Sequence, residues 1–328
     1  MLHRALPFCV FVSAMLCAAL AFPNMEDLPS EGVSLTVATL NLNRFFDTVD
    51  DPARRDKVMS RRFFQEKVKK LSWFIRHQLD CPNIVAVQEV ENIRALTYLA
   101  REVCPDKSAY QAYLKEGNDI SGIDVGFLVS SELRVQHIQQ LGNDIKISGS
   151  RSRLFDRPPL LLRLSSNVCE TRSFNFVAVH NRSFWGLRHP DKHDRVHKKR
   201  LQQAQWIGQW LRTWTQSYPR DQLILLGDFN AMPSGEVLEQ VNKRIEGEKH
   251  SLLMNLAARI PEEERYSYLF RGKKQAIDHI FVTPNLVSSL REVYYTRFNT
   301  ERDLYASIGG RASDHEGMVA HFEFSGCK

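Results

Sequence analysis

Polar side chains that could carry out hydrolytic chemistry recur where apolar, strand-like segments begin or end. Six segments hold a carboxylate, an amide or an imidazole there, and they contain Asn41, Glu89, His180, Asp228 with Asn230, Asp278, and Asp314 with His315. Any one of them has an ordinary explanation, because Asp and Asn after a strand commonly form turns. Six together favour a shared cleft, because strand ends can present polar groups from a rigid scaffold. The sequence therefore predicts one site equipped for acid–base and metal-assisted chemistry.

Segments of apolar, β-rich sequence are predicted to be the strands that position these groups. They comprise residues 33–42, 84–87, 125–129, 160–164, 174–179, 223–226, 277–282 and 319–324. Apolar residues at helical spacing predict amphipathic helices over 64–79 and 201–214. Asn92 suits the start of a further helix, which should stop by Pro105. This alternation predicts a mixed α/β protein with about eight or more strands in a single domain.

The composition limits the classes of protein to which the chain can belong. It has 328 residues, 43% of them hydrophobic, and its 16 Gly and 13 Pro are near ordinary levels. These values exclude a disordered polymer and a collagen-like or low-complexity chain. The formal net charge of +6 favours a polyanionic partner, although this surplus is modest for the length.

The first residues are predicted to direct export. An uncharged apolar stretch over 5–21 ends in Ala-Leu-Ala, the small-x-small pattern that a signal peptidase cuts, here before Phe22. A membrane anchor is the alternative, but the stretch is short for a span and polar sequence follows soon after. We therefore expect 1–21 to be a cleaved signal peptide and 22–328 to be one domain. The mature protein should be secreted or periplasmic, without stable membrane association.

Export makes disulfides the default role for the cysteines that remain. Loss of the signal peptide leaves Cys81, Cys104, Cys169 and Cys327, and none has the paired short spacing of a zinc site. The sequence alone does not choose among the possible connectivities. Because Cys81 and Cys104 bracket one strand–helix unit, we predict the pairs Cys81–Cys104 and Cys169–Cys327.

Five short motifs, in this order, resemble the signature of the endonuclease/exonuclease/phosphatase superfamily. They are Thr39-Leu-Asn-Leu, Val87-Gln-Glu-Val-Glu-Asn, Gly227-Asp-Phe-Asn-Ala, Ile277-Asp-His-Ile and Ser313-Asp-His, within a match from about Val33 to Phe324. GDFN and SDH are moderate signals alone, but the complete ordered series is a strong one. The resemblance implies a four-layer α/β/β/α sandwich of the secreted deoxyribonuclease type. Its two packed sheets would be mixed but mostly antiparallel, with the site at one edge.

Cleavage of a phosphodiester needs a cation to neutralise charge, a base for water, and an acid or metal for the leaving oxygen. Glu89 and Asp314 are hard oxygen donors that suit Mg²⁺, or alternatively Mn²⁺ or Ca²⁺, and we predict them to be the metal ligands. His315 is the candidate base. The resemblance assigns Asp278 as the carboxylate that orients His315.

The resemblance also implies roles for the other polar residues. His180 corresponds to a second histidine that stabilises or protonates the departing group, and Asp124 is the candidate carboxylate partner for it. Asp228 and Asn230 would position the attacking water and the phosphoryl oxygens, with help from Asn41. Whether Asp228 or His315 takes the proton stays open at this stage.

Two basic features concern the substrate. Arg157 matches a position where relatives often place a basic residue near the phosphate, and a guanidinium can grip phosphate through two hydrogen bonds. The run 188–200 is rich in Lys and Arg and spaces His189, His193 and His197 four residues apart. A solvated helix start, a ridge that binds a nucleic-acid backbone and a zinc site are the three interpretations. Zinc is the least favoured, because no fixed carboxylate or thiolate partner is evident.

The sequence thus predicts an exported, metal-dependent phosphodiesterase that acts on nucleic acid, with DNA favoured. We expect an endonuclease that uses in-line attack of water on phosphate. The alternative on the same scaffold is a sphingomyelinase-like phosphodiesterase of phospholipid headgroups or a phosphomonoesterase. A catalytically inactive binding module is disfavoured by the complete set of polar motif residues. DNA versus RNA, endo- versus exonucleolytic cleavage and the oligomeric state stay open.

Overall fold

Two six-stranded β-sheets pack face to face in the computed structural model, which describes residues 32–165, 173–242 and 251–324. In chain order the strands are β1 (Val33–Phe45), β2 (Ile84–Val90), β3 (Tyr110–Leu114), β4 (Asp124–Ser130), β5 (Val135–Gln140), β6 (Leu160–Leu164), β7 (Phe174–His180), β8 (Gln222–Asp228), β9 (Met254–Asn255), β10 (Tyr268–Phe270), β11 (Lys273–Gln275), β12 (Asp278–Val282), β13 (Leu290–Tyr295) and β14 (Met318–Phe324). The first sheet has the order β13-β14-β1-β2-β4-β3, and the second has the order β5-β6-β7-β8-β12-β9. Strands β10 and β11 form a separate hairpin.

Each sheet contains one parallel pair of strands near its centre. In the first sheet β1 runs parallel to β2, and in the second β7 runs parallel to β8, whereas the other pairings are antiparallel. Because parallel strands end at the same edge of a sheet, each pair brings its last residues together. These four ends carry Asn41, Glu89, His180 and Asp228, so the topology itself gathers most of the polar motifs.

Helices cover the outer face of each sheet. They are α1 (Arg61–His77), α2 (Ile93–Glu102), α3 (Pro190–Ser217), α4 (Glu236–Val241) and α5 (Arg302–Ala306), with short 3₁₀ turns at Leu256–Arg259, Glu262–Glu264 and Pro284–Ser289. The side chain of Ser60 caps α1 by accepting from the N–H of Phe63, and Asn92 caps α2 in the same way through the N–H of Ala95. The predicted Asn92 cap is therefore confirmed.

Three apolar layers hold the sandwich together. The central layer lies between the sheets and includes Phe127 and Phe176, while the outer layers pack α1 and α2 on the first sheet and α3 and α4 on the second. Burying a Phe side chain of this kind contributes about 1.5–3 kcal/mol, so each layer adds to the stability of the fold. The four-layer α/β/β/α architecture implied by the resemblance is confirmed.

All eight predicted strands are present. The strands that the sequence did not predict are β3, β5, β9, β10, β11 and β13. All six lie at a sheet edge or in the hairpin, where half-exposed residues give no clear apolar run. No helix in the described part of the chain has the length and apolar character needed to cross a membrane.

The predicted disulfide Cys81–Cys104 is confirmed, with Cα atoms 6.2 Å apart. It ties the segment between α1 and β2 to the end of α2. The predicted pair Cys169–Cys327 and the predicted signal peptide lie outside the described residues.

Candidate active site

The predicted catalytic groups line one open cleft of about 780 Å³. Its lining includes six of the predicted residues, namely Glu89, His180, Asp228, Asn230, Asp314 and His315. Asn41 and Asp278 lie directly beneath them, hydrogen-bonded to Asp228 and His315 respectively. The structure therefore brings together eight of the ten predicted catalytic, metal and phosphate residues, and leaves out Asp124 and Arg157.

A β-bulge aims Glu89 at the cleft. The pairing of β2 with β4 shifts register between Gln88 and Val90, so Glu89 is an extra residue without a partner, and its φ is 59°. The carboxylate accepts hydrogen bonds from the backbone N–H of Arg44 at 2.9 Å and from Asn41 Nδ2 at 3.3 Å. A left-handed backbone on a residue with a side chain costs free energy, and such strain concentrates at functional sites.

The Gly-Asp-Phe-Asn turn has a steric explanation. Gly227 has φ 142°, and a Cβ there would lie 2.1 Å from the carbonyl oxygen of Val179, so no other residue fits without a backbone shift. Asp228 Oδ1 accepts the backbone N–H of Asn230 at 2.7 Å, and Asn230 itself has φ 49°. Phe229 is fully buried between these polar residues and anchors the turn in the core.

Asn41 links the carboxylates of the two sheets. Its Nδ2 donates to Glu89 Oε1 at 3.3 Å and to Asp228 Oδ2 at 3.2 Å. Asp228 is 2% exposed, and this burial, together with the charges of Asp278 and Glu89, raises its pKa to about 7. Carboxylates that repel one another in a buried cleft are typical of a site that binds a cation.

His315 is held by a short hydrogen bond. Its Nδ1 lies 2.7 Å from Asp278 Oδ2, and both side chains are buried. Burial alone would lower the pKa of His315, but the charge of Asp278 and this hydrogen bond raise it to about 10. Atoms of Asp228, Asp278 and His315 that could bind a metal all lie within 4.8 Å of one another.

In the part of the chain that the structure describes, His180 lacks a hydrogen bond to a carboxylate like the one that holds His315. Its Nε2 lies 3.6 Å from Asp228 Oδ2 and 3.9 Å from Glu89 Oε1, while its Nδ1 has no hydrogen-bond partner among the described residues. Burial, and then the positive charges of Arg157 and His315, lower the pKa of His180 well below its usual value. His180 is therefore neutral near pH 7.

Asp124 does not make the contact with His180 that the sequence predicted. It is buried at the start of β4, where it bonds to the backbone N–H of Gly117 and to the side chain of Glu116. Burial is the main cause that raises the pKa of Asp124 to about 8, and repulsion from Glu116 adds to it. The two carboxyl groups satisfy each other, and sequence spacing does not reveal this local pairing.

Arg157 does not face the cleft. Its Nη1 pairs with Asp119 Oδ2 at 3.0 Å. Its Nε donates to the carbonyl oxygen of His180 and its Nη2 to that of Asn181, each at 3.5 Å. At 8% exposure the guanidinium is committed to these partners. Arg157 therefore holds the end of β7 in place and is not among the residues that line the cleft, whereas the sequence predicted it beside the phosphate.

The basic run 188–200 divides into two parts. At its end, Arg200 donates to the carbonyl oxygens of Arg182 and Asn230, and Lys199 pairs with Asp156 at 2.7 Å. At its start, Arg188, His189 and Lys192 line the cleft. The rings of His193 and His197 stack 5.7 Å apart, but in the described part of the chain no three-ligand group forms around them, which disfavours the zinc interpretation.

Two further site residues had no clear signal in the sequence. The ring of Tyr268 on β10 lies over the imidazole of His315, with centroids 4.8 Å apart. Ser313 donates to the carbonyl oxygen of Asn41 at 2.5 Å and accepts the N–H of His315 at 3.1 Å, which ties the last motif to the first. The order Ser-Asp-His was visible in the sequence, but the role of its serine as a connector was not.

Comparison with known proteins relates this geometry to a family. A sequence profile of the Endonuclease/Exonuclease/phosphatase family matches residues 36–307, which is more than half of the chain. No curated protein matches the chain in sequence.

Solved structures share the fold at low sequence identity. TDP2 from C. elegans has a TM-score of 0.59 at 18% identity, over 91% of this chain and 77% of that chain. D. rerio TDP2 complexed with single strand DNA product gives 0.56 at 15% identity, over 88% and 98%. The 3′ phosphatase NExo from Neisseria, bound to a product DNA hairpin, gives 0.53 at 14%, over 88% and 100%.

Proposed function

The chain belongs to the endonuclease/exonuclease/phosphatase family and is a phosphoesterase, and on that premise we propose that it is an exported, metal-dependent phosphodiesterase that cleaves nucleic acid. DNA is the favoured substrate, cleavage is endonucleolytic, and water attacks the phosphate in line with the leaving oxygen. The observation that carries this proposal is that the Asp278–His315 pair shares one cleft with Glu89 and Asp228, which are joined through one amide of Asn41.

The donor chemistry of the cleft fits a divalent cation. Burial, and then repulsion from Asp278 and Glu89, raise the pKa of Asp228, and a hard cation that prefers oxygen ligands would relieve this repulsion. Glu89 and Asp314, together with Asp228, would hold Mg²⁺, or alternatively Mn²⁺ or Ca²⁺. When bound, the cation supplies positive charge that neutralises the phosphate and stabilises the leaving oxygen.

The residues of the chain supply orientation and proton transfer. Asp278 accepts a hydrogen bond from Nδ1–H of His315, so Nε2 is the nitrogen that exchanges a proton with water. The raised pKa favours the protonated ring near pH 7, and the positive charge of a bound cation would lower that pKa and so favour the neutral ring that acts as the base. His180, neutral and with Nε2 beside Asp228, would donate a hydrogen bond on the leaving side. Asn41 and the N–H of Asn230 fix Asp228 in one orientation, so that little reorganisation is needed during the reaction.

Charge and relatives support nucleic acid as the substrate. Arg188, Lys192 and Arg271 line the cleft, where they would meet a polyanionic backbone. Two of the structurally similar proteins are complexes with DNA products. The positive charge at this mouth argues against a choline headgroup, which is itself a cation.

Export is supported by the N-terminal apolar stretch and by the Cys81–Cys104 disulfide, because disulfides persist in oxidising compartments. A phosphomonoesterase is the second candidate function. It is favoured by one observation, the structural similarity to a protein named as a 3′ phosphatase.

Incubation of the protein with circular DNA tests the proposal. Supercoiled duplex and circular single-stranded DNA should be linearised or nicked with Mg²⁺, and both should stay intact with chelator. His137→Ala is a matched control, because His137 is an exposed imidazole on the edge strand β5. Release of phosphate from a 3′-phosphorylated oligonucleotide without loss of circles would favour the phosphomonoesterase, and release of a lipid headgroup alone would overturn both.

A further inference from the structure

Exposed aromatic rings and cations form one wall of the cleft beside the catalytic groups. We call this surface the aromatic rim and define it by Trp185, Phe184 and Phe270. Trp185 is 66% exposed and Phe184 is 36% exposed, both in the loop between β7 and α3, and Phe270 lies on β10. All three rings line the same cleft as Glu89, His180 and Asp228.

Cations lie against the rings of the rim. Lys192 Nζ is 4.6 Å from the centroid of the Trp185 ring, and Arg182 Cζ is 5.8 Å from it. Arg188 Cζ is 5.4 Å from the Phe270 ring, so a residue of the loop reaches across to the hairpin. These contacts place positive charge within about 6 Å of the centres of the Trp185 and Phe270 rings.

The exposed ring of Trp185 and its cationic neighbours indicate which class of ligand this surface would bind. A large aromatic side chain stabilises a fold only when it is buried, and Trp185 is left mostly uncovered by the described residues. Its neighbours Lys192 and Arg182 disfavour a cationic ligand such as a quaternary ammonium. A flat, uncharged ring attached to an anionic chain satisfies both the aromatic faces and the cations.

We propose that the aromatic rim is a subsite that stacks unpaired nucleobases next to the reacting phosphate, which makes single-stranded nucleic acid the preferred substrate. The inference rests on the proposed function, because it assigns a substrate class to the same cleft. In a duplex the bases stack on one another inside the helix, so their faces are not available to Trp185 or Phe270. In a single strand each base has a free face, and aromatic side chains bind such faces with little dependence on sequence.

Binding measured in chelator tests the subsite without any cleavage. The probes are a fluorescent single-stranded oligonucleotide, an abasic strand of the same length and charge, and the corresponding duplex. The wild-type protein should bind the normal strand about 5- to 150-fold more tightly than the abasic strand, as expected for stacking of one base. Trp185→Ala should abolish this difference, and Trp185→Phe should restore most of it.

A matched control and a charge variant complete the design. Phe63→Ala removes a ring that is 65% exposed on α1, outside the cleft lining, and should change nothing. Lys192→Ala should weaken the salt dependence of binding, with a slope smaller by about 0.7 if the ammonium meets one phosphate of a single strand. The intrinsic tryptophan fluorescence of the wild type should be quenched by the normal strand and much less by the abasic strand.

The outcomes separate the subsite from the chemistry. Equal binding of normal and abasic strands by the wild type, or unchanged discrimination in Trp185→Ala, would overturn the subsite while leaving cleavage assays intact. Binding to phosphocholine vesicles that is lost in Trp185→Ala would overturn it in favour of a lipid surface. If base-dependent binding is observed but no nucleic acid is cleaved with metal, the subsite stands and the proposed function fails.

Discussion

The two halves of the cleft hold their histidines in opposite ways. His315, just before β14, is 6% exposed and lies 2.7 Å from Asp278, and its pKa is raised. His180, at the end of β7, is 4% exposed, but its Nδ1 has no partner among the described residues and its pKa is lowered. Burial acts on both imidazoles in the same direction, so the carboxylate at Nδ1 is what separates them.

This difference shows that the hydrogen-bond partner of Nδ1 determines whether a buried histidine is charged or neutral. A position at a strand end brings both rings to the cleft, but it does not give them the same chemistry. Pairs of titratable groups whose surroundings push their pKa values apart mark the acid and base roles of a site. The half that contains His315 is built for proton transfer, and the half that contains His180 is built for hydrogen bonding by a neutral ring.

The largest expected effect comes from the partnered half. His315→Ala removes the proton acceptor and should lower turnover about 10²- to 10⁴-fold. Asp278→Asn keeps the shape of the side chain but favours the wrong tautomer of His315, so a loss of similar size is expected. The double variant should be little worse than either single variant, because the two residues act as a unit. Steady-state kinetics on DNA, with His137→Ala as the control, measure this, and near-normal turnover of His315→Ala would refute the assignment.

A smaller effect is expected from the unpartnered half. His180→Ala removes one hydrogen bond to a charged group, which corresponds to a loss of about 10- to 150-fold in turnover. Because His180 stays neutral, its removal should leave the shape of the pH–rate profile unchanged. A loss as large as that of His315→Ala, or a missing limb in the profile, would mean that His180 also transfers a proton.

The smallest effect on turnover is expected for substitution of Asp124. This small effect would distinguish Asp124 from Asp278, whose substitution should cause a large loss. Asp124 bonds to Gly117 and Glu116 and not to His180, so Asp124→Asn should change turnover less than about threefold, within the range of substitutions remote from the reacting atoms. A loss comparable to that of Asp278→Asn would restore Asp124 as the partner of His180.

Asp124→Asn should instead change the pH dependence of stability. The pKa of Asp124 is raised to about 8 in the folded protein, against about 4 in the unfolded chain, so the folded state binds the proton more tightly. The resulting stabilisation is complete below about pH 4 and is lost as pH rises through 8. In the variant, the free energy of unfolding should therefore fall less between pH 5 and 9, which denaturant titrations at several pH values would measure.

The sequence predicted the architecture and most of the cleft because these depend on local patterns. Apolar runs gave the eight core strands, and Gly227 to Asn230 carry a turn that only glycine permits at its first position. The bulge at Glu89 and the edge strands left no such pattern, because their conformation is set by neighbouring strands.

The partners of long polar side chains were harder to predict. Arg157 and Asp124 were predicted to act in the cleft, yet each is satisfied by residues of the segment 116–119. A buried charge takes the nearest complementary group in three dimensions, and residue spacing does not identify that group. The sequence did not predict the aromatic rim as one surface, because Trp185 and Phe270 come from distant segments that meet only in the fold.

The most direct test of the central claim is a metal titration of DNA cleavage by the wild type, Glu89→Gln and Glu239→Gln. Glu239 is an exposed carboxylate on α4, so its variant serves as the matched control. Wild type and control should be inactive in chelator and recover with Mg²⁺ or Mn²⁺. Glu89→Gln should need more metal for half-maximal rate and reach a lower maximum, because one ligand and its charge are lost. Full activity in excess chelator, or a Glu89→Gln titration that overlays the wild type, would contradict it.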